Sequence, residues 1–215
     1  MIKPTLNVIS EKNYYLLKEI LFNYSKRPKI LCVGAGEVQG EGVNVLGPNV
    51  INVDIKYNKN LDIVCNGEML PFKRDCFDAV ILQAVLEHIE CYEEVIEEVY
   101  RVLKDGAYIY VEVPFLQGKH TENDYRRFTL DGIKLELNKF KEIKSGICIG
   151  PFSSFVWITS MLLALIFSLN NKWLFNKLRL IFLYLISPLK YFDIFFLKSK
   201  DAEIIASAFY FMGKK

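Results

Sequence analysis

The sequence predicts an α/β fold around a parallel sheet, and two features carry that prediction. Short apolar runs recur with helical or loop segments between them, at Ile30–Val33, Val50–Asp54, 62–64, 77–82 and 107–113. The first run enters the glycine-rich turn of ILCVGAGEVQGEG, where Gly34 and Gly36 permit a bend tight enough for a ligand to approach the backbone. Strands that alternate with helices hold ligands at their carboxyl ends. The motifs sit at those ends: Gly34 after the first strand, Asp54 closing the second, 66–70 after the third, 83–88 after the fourth and Pro114-Phe115 after the fifth.

Taken in chain order, Tyr14, Leu17, Ile20, Leu21 and Tyr24 recur at helical spacing and predict an amphipathic helix over 14–24. The stretch EVQGEGVNVLGPN behind the first strand holds Gly40, Gly42, Gly47 and Pro48 without a helical period, so a helix there is short or absent. A longer helix is predicted over 87–104. It turns Ile89, Tyr92, Ile96, Val99 and Leu103 inward and Glu90, Glu94, Glu97, Arg101 and Lys104 outward, with Asp105-Gly106 ending it. The N-terminal helix and the segment 134–140 cover opposite edges.

A chain of 215 residues suffices for one full domain with its own core. Its formal net charge of +2 lacks the clustered Lys and Arg that a phosphate backbone demands, so no nucleic acid partner is expected. Cys32, Cys65, Cys76, Cys91 and Cys148 form no C-x-x-C pair and read as reduced thiols of a cytoplasmic protein. With His88 and His120 the only histidines, no metal site is expected. MIKPTLNVISEKNYY lacks the continuous apolar region of a signal peptide.

The ligand follows by elimination. A G-x-x-x-x-G-K-[ST] phosphate loop is excluded, because neither its lysine nor its hydroxyl is present. A dinucleotide needs a helix N-terminus behind the glycine turn for its pyrophosphate, and the helical period is missing there. A nucleoside without a pyrophosphate remains. Asp54 can accept both hydrogen bonds of a ribose diol. The alternative is a solvated strand-end carboxylate, and the upstream glycine turn favours the ribose role. Asn66 and Glu68 then address the adenine edge, and Leu70 its face.

The segments ILCVGAG, INVDI, NGEMLPF, FDAVILQAVLEHI and EEVYRVLKDGAYIYVEVPF, in this order and spacing from Ile30 to Phe115, resemble the class I S-adenosylmethionine-dependent methyltransferases. HTENDYRRFT, from His120 to Thr129, further resembles a bacterial methyltransferase type 11-like subgroup with an H…DY-x-RFT segment, often associated with polysaccharide and glycan loci. The resemblance implies a Rossmann-like sheet, mostly parallel with a C-terminal antiparallel hairpin formed by FKEIKSGICIG and AEIIASAFYFMGKK, and a shortened first helix. It implies S-adenosyl-L-methionine as cofactor, held by Gly34, Ala35, Gly36, Asp54, Ile55, Asn66, Glu68, Leu70 and Gln83. The sequence departs from the family pattern at Cys32, where an acid is usual, at Val38, in place of a third glycine, and at Asn66, where an Asp is usual.

The implied reaction is O-methylation of a small-molecule or glycan acceptor. A sugar hydroxyl benefits from proton removal, and His120 and Asp124 are the candidates for it, with Arg127 able to hold an anionic group. The alternative makes DYRRFT a structural clasp, in which Asp124 caps the helix near Thr129, Arg127 pairs with an acid and Phe128 enters the core. His88 reads as a structural histidine. Two other classes compete: a nicotinamide-dependent oxidoreductase, for which Tyr100 and Lys104 have the Tyr-x-x-x-Lys spacing but lie before the fifth strand, and a catalytically silent adaptor at a membrane.

Apolar residues make up 52% of the chain, and the excess is concentrated in 155–197, set between the last two strands. This divides the chain into a methyltransferase domain, 1–154 and 198–215, and a hydrophobic helical insertion, 155–197. The uncharged run 155–169 reaches about 22 Å as a helix, short of the roughly 30 Å hydrocarbon core, so spanning is disfavoured. The mixture that follows, Trp173, Phe175, Leu178, Ile181 and Phe182 with Lys172, Lys177 and Arg179, suits a helix lying in a membrane interface. Peripheral contact with the inner face of the cell membrane and a lipid-linked sugar acceptor are the expectation; a helical lid or an oligomer interface is the alternative.

Overall fold

The structure, a computed structural model, describes residues 3–36, 43–119 and 121–215. Seven strands form one sheet: β1 (Ile30–Val33), β2 (Val50–Asp54), β3 (Ile63–Val64), β4 (Phe77–Gln83), β5 (Leu103–Pro114), β6 (Lys141–Ile149) and β7 (Ala208–Lys214). Their order is β3-β2-β1-β4-β5-β7-β6. The first five run parallel, while β7 is antiparallel to both β5 and β6. The register aligns Val33 with Val53 and Leu82, and Leu82 with Val111, so the carboxyl ends of four strands meet at one level.

Period-two alternation splits the core over the two sheet faces. Leu31, Val33, Val80, Leu82, Ile109 and Val111 face α2 (Tyr92–Val102) and α3 (Leu130–Glu136), against Val95, Val99, Val102 and Ile133. Ile30, Cys32, Ala79, Ile81 and Tyr110 face α1 (Ile9–Tyr24), against Tyr14, Leu17 and Leu21. Both faces are covered, so β4 is buried from Phe77 to Leu82 and reads as a continuous apolar run rather than an alternating one.

Three elements differ from the sequence expectation. α1 starts five residues before the expected 14, because Ser10 and Asn13, polar yet buried, break the apolar period of its first turns. The helix expected over 87–104 is shorter at both ends. A 3-10 turn at Leu86–His88 precedes α2, and Leu103 leaves the helix extended to pair with Phe77. Asp105-Gly106 therefore bends β5 rather than ending a helix; Gly106 has φ +80° and donates to the Lys215 carbonyl at 3.1 Å. Behind the glycine turn, a 3-10 turn at Val43–Leu46 is the helical element among the described residues; Val38 lies outside them.

Between β6 and β7 the chain forms α4 (Pro151–Ser168), α5 (Lys172–Ile186) and α6 (Asp193–Phe196), with 3-10 turns at Ser187–Phe192 and Asp201–Ile205. The α4–α5 corner uses Leu169 and Asn170 at φ +48° and +65°, and Asn171 Oδ1 caps α5 by accepting from Leu174 N at 3.0 Å. α4 has no side-chain cap of its own; Asp193 accepts from Phe152 N at 2.7 Å, from Ser153 N at 3.1 Å and from Ser153 Oγ at 2.6 Å. This tertiary cap ties α6 to the start of α4.

Candidate active site

Two cavities open at the carboxyl edge of the sheet and share Gly34, Gly36 and Ala84 as their common wall. The larger, about 640 Å³, lies toward β2 and β3; the smaller, about 340 Å³, lies toward β5 and the N-terminal segment. Their separation follows from the glycine turn. Gly34 has φ +70°, and a Cβ there would stand 2.4 Å from Val85 Cγ2, so a larger residue strains the turn and displaces Val85. Gly34 and Ala35 donate to the Val53 carbonyl at 2.8 and 3.1 Å, which holds the turn against β2.

Asp54 stands at the rim of the larger cavity. Its Oδ2 accepts from Gly36 N and its Oδ1 from Lys56 N, both at 2.9 Å, which fixes the carboxylate and leaves each oxygen a second lone pair for a vicinal diol. Ile55, Asn66 and Glu68 line the same cavity. Asn66 accepts from Glu68 N at 3.0 Å and donates to Glu68 Oε2 at 2.8 Å, so the two polar groups expected at an adenine edge form one turn. His88 also lines it; its Nδ1 donates to the Asn123 carbonyl at 2.5 Å.

Leu70 is not brought to either cavity. It is buried in the core with Val33 and Val53, its backbone held by α2: Leu70 N donates to Glu98 Oε2 at 2.8 Å, and Arg101 Nη2 donates to Leu70 O at 3.0 Å. The adenine-face role expected of Leu70 is therefore corrected; exposed Ile55 supplies the apolar surface there. Ala35 and Gln83 line the smaller cavity instead.

The segment after β5 is folded as a clasp. Arg127 holds Asp124 through both guanidinium nitrogens, with Nη2 to Oδ2 at 2.7 Å, and donates to the Gly118 carbonyl at 3.2 Å. Arg126 donates to the Ile89 and Glu90 carbonyls at 2.6 and 2.7 Å and stacks over Tyr92 at 4.6 Å. Phe128 packs edge-on against Tyr92. The cap of α3 is Thr129, whose Oγ1 accepts from Gly132 N at 3.0 Å, not Asp124. Asp124 and Arg127, expected to be catalytic, line neither cavity; His120 lies outside the described residues.

Sequence reasoning missed three features of the smaller cavity. Glu112, fully buried on β5, accepts from Asn7, Ser10, Gln83 and Tyr110, the last two at 2.9 and 2.5 Å. Ala84 holds φ +54°, a strained conformation for a residue with a Cβ, at the junction of the two cavities. Glu87 has no exposed surface, and neither of its carboxylate oxygens accepts a hydrogen bond from a described residue. Burial, reinforced by the nearby Asp124 charge, pushes its carboxyl up to about 8. An acid in the LEH triplet looks like any first-turn glutamate, so no local signal marked it. The Tyr100–Lys104 pair is elsewhere: Tyr100 packs on Phe140, and Lys104 pairs with Asp78 at 2.7 Å near the start of β4.

Residues 31–111 match a family model described as a methyltransferase domain. A comparison with curated protein sequences finds no match. Among solved structures, the chain is similar to a putative sarcosine dimethylglycine methyltransferase from Galdieria sulphuraria, at 12% identity and TM-score 0.62, covering 100% of this chain and 93% of that one. It is also similar to the Burkholderia thailandensis 1,6-didemethyltoxoflavin-N1-methyltransferase, solved with 1,6-didemethyltoxoflavin and S-adenosylhomocysteine bound, at 13% identity and TM-score 0.53, covering 95% and 79%. A third similar structure is the [4+2]-cyclase SpnF, at 11% identity and TM-score 0.54, covering 93% and 80%. These likenesses establish the fold. The chain thus has the mostly parallel, hairpin-closed sheet of the class I S-adenosylmethionine-dependent methyltransferases, and its residues 31–111 match a methyltransferase-domain model.

Proposed function

We propose that the larger cavity seats the adenosine of S-adenosylmethionine, that its methionine end passes the Gly34–Gly36 turn, and that the smaller cavity receives a sugar hydroxyl of a glycan or lipid-linked acceptor. The observation that carries this reading is the wall of Gly34, Gly36 and Ala84 that the two cavities share, with Asp54 lining one and Glu87 the other. The donor supplies an activated methyl group on a sulfonium. The protein's own contribution is positioning and exclusion of water. Asp54 accepts the ribose hydroxyls, and the glycines at 34 and 36 let the ligand approach the backbone. Around the smaller cavity, Thr5, Asn7, Gln83 and Gln117 are the polar side chains toward a polyhydroxylated acceptor, with Glu112 behind them holding Asn7 and Gln83.

As the C–O bond forms and the C–S bond breaks, the acceptor hydroxyl gives up a proton, and the proposed recipient is Glu87, which lines the smaller cavity with its carboxylate buried in the wall. A carboxyl raised to about 8 is a stronger base than an ordinary glutamate once ionised, and because it is mainly protonated at neutrality its basic form accumulates only as the pH passes about 8. In this reading Glu87 stands beside His120, which lies outside the described residues, as a candidate base, while Asp124 is held by Arg127.

Calorimetry with S-adenosylhomocysteine tests the donor half. Asp54→Ala is expected to bind roughly 10- to 100-fold more weakly, the loss of charge-assisted hydrogen bonds worth about 1.5–3 kcal/mol. Equal affinity in both proteins removes Asp54 from the site. Transfer of labelled methyl groups into glycan and lipid fractions then tests the acceptor class. In that assay the wild-type rate is expected to rise with pH through about 8, as Glu87 loses its proton, and Glu87→Gln to be slow and without that limb. A limb retained in Glu87→Gln but lost in His120→Ala returns the proton-accepting role to His120.

A further inference from the structure

We propose that the outer face of the α4–α6 block docks onto an anionic lipid bilayer, lying along its surface rather than crossing it. α4 is inside out for a helix facing water. It turns Ser153, Val156, Ser160, Ala164 and Ser168 inward and Phe155, Ile158, Leu162 and Leu165 outward, and Leu169, which ends it, is exposed. A water-facing amphipathic helix does the reverse. Small inward residues let α5 approach closely, as they do where the opposite side of a helix pair meets lipid.

The exposed surface continues without a change of character. α5 adds a stripe of Trp173, Lys177, Ile181, Tyr184 and Leu185, with Lys177 Nζ 3.9 Å from the Trp173 ring centroid. The turn and α6 add Tyr191, Phe192, Ile194 and Phe195, the last 78% exposed. A solvated surface does not ordinarily carry so many large exposed apolar side chains on successive elements.

Charge selects the occupant. Over 151–200 the sole acidic side chain is Asp193, which is buried and occupied with capping α4. The exposed charges there, Lys172, Lys177, Arg179, Lys198 and Lys200, are all positive. Two copies of this chain meeting face to face would set like charges against each other, whereas anionic headgroups complement them. Tyr and Trp among the lysines match the headgroup level of a bilayer.

Depth follows from charge. By length and composition alone α4, 18 residues and about 27 Å long, is able to cross a bilayer, so its partner α5 decides. Upright insertion of the α4–α5 pair would bury Lys172, Lys177 and Arg179, all in the first half of α5, in hydrocarbon. Lying in the interface satisfies both the apolar stripe and the cations.

The docked block also forms part of the setting of the smaller cavity. Leu6 N donates to Ser153 Oγ at 3.0 Å and Lys190 Nζ to the Lys3 carbonyl at 2.6 Å, so α4 and the turn after α5 hold the segment whose Lys3, Thr5 and Asn7 line that cavity. A lipid-linked acceptor would then enter from the bilayer side. That last step rests on the proposed function; the docking itself does not.

Flotation of the full-length protein with vesicles of phosphatidylcholine alone, or mixed with phosphatidylglycerol, tests the proposal. The wild type is expected to float with the mixed vesicles and to be released by salt in part. Combined Leu165→Ser, Trp173→Ser and Phe195→Ser is expected to lower the floated fraction by roughly tenfold or more. Lys177→Glu with Arg179→Glu, which spares the apolar face, is expected to lower binding to the mixed vesicles specifically. S-adenosylhomocysteine affinity, measured alongside, should be unchanged in both variants, which separates failure of docking from failure of the donor site. Wild-type protein that stays at the bottom of the gradient with mixed vesicles overturns the proposal. If that protein is a dimer in sedimentation equilibrium and the triple variant a monomer, the face belongs to a second copy.

Discussion

The sheet and the α4–α6 block are both rich in large apolar residues, yet they place them oppositely. In β4, FDAVIL is buried without interruption because α1 covers one face of the sheet and α2 and α3 the other. In α4, Phe155, Leu162 and Leu165 are half exposed or more, while serines occupy the interior. Hydropathy alone therefore does not identify a core. Burial requires cover on every apolar side, and the block has cover on one.

Equivalent truncations should expose the contrast, and the largest effect is expected in the sheet. Ile81→Ala removes a side chain with no exposed surface and is expected to cost about 2–5 kcal/mol in urea unfolding. Next, Asp193→Ala removes the acceptor for Phe152 N, Ser153 N and Ser153 Oγ and is expected to cost about 1.5–3 kcal/mol. Both tryptophans of the chain lie in α4 and α5, so fluorescence should register that loss in the block while circular dichroism follows the sheet. Smallest is Leu165→Ala, at a 56% exposed position, expected to stay within about 0.5 kcal/mol in the absence of lipid. A cost for Leu165→Ala matching that for Ile81→Ala would mean the outer face is already packed against protein.

Legibility in the sequence divided along the same physical line. Gly34, Gly36 and Asp54 could be read because a strand-end turn is a local device: one glycine conformation, one carboxylate, two residues of β2. Leu70 could not be placed, since α2, through Glu98 and Arg101, draws its backbone inward from 28 residues and more away in sequence. DYRRFT contained both a clasp and a site reading, and the carbonyls at 89, 90 and 118 that its arginines reach belong to other segments. Glu87 and Glu112 escaped notice for a related reason. A buried acid differs from a solvated one through its neighbours, and those of Glu112 come from positions 7, 10, 83 and 110.

By itself, the sequence determined the strand order of events along the chain, the glycine turn, the acid that follows it and the excess of apolar residues between the last two strands. These depend on short-range patterns: period two, period 3.6 and the special freedom of glycine. Tertiary structure alone decided where α2 ends, because Leu103 gains a strand partner in Phe77 that outweighs one more helical turn. It also decided which acid beside the smaller cavity accepts no hydrogen bond from the described residues, and which side of α4 faces outward. Pairing, desolvation and cover are set by what lies across space, and residues distant in sequence supply it.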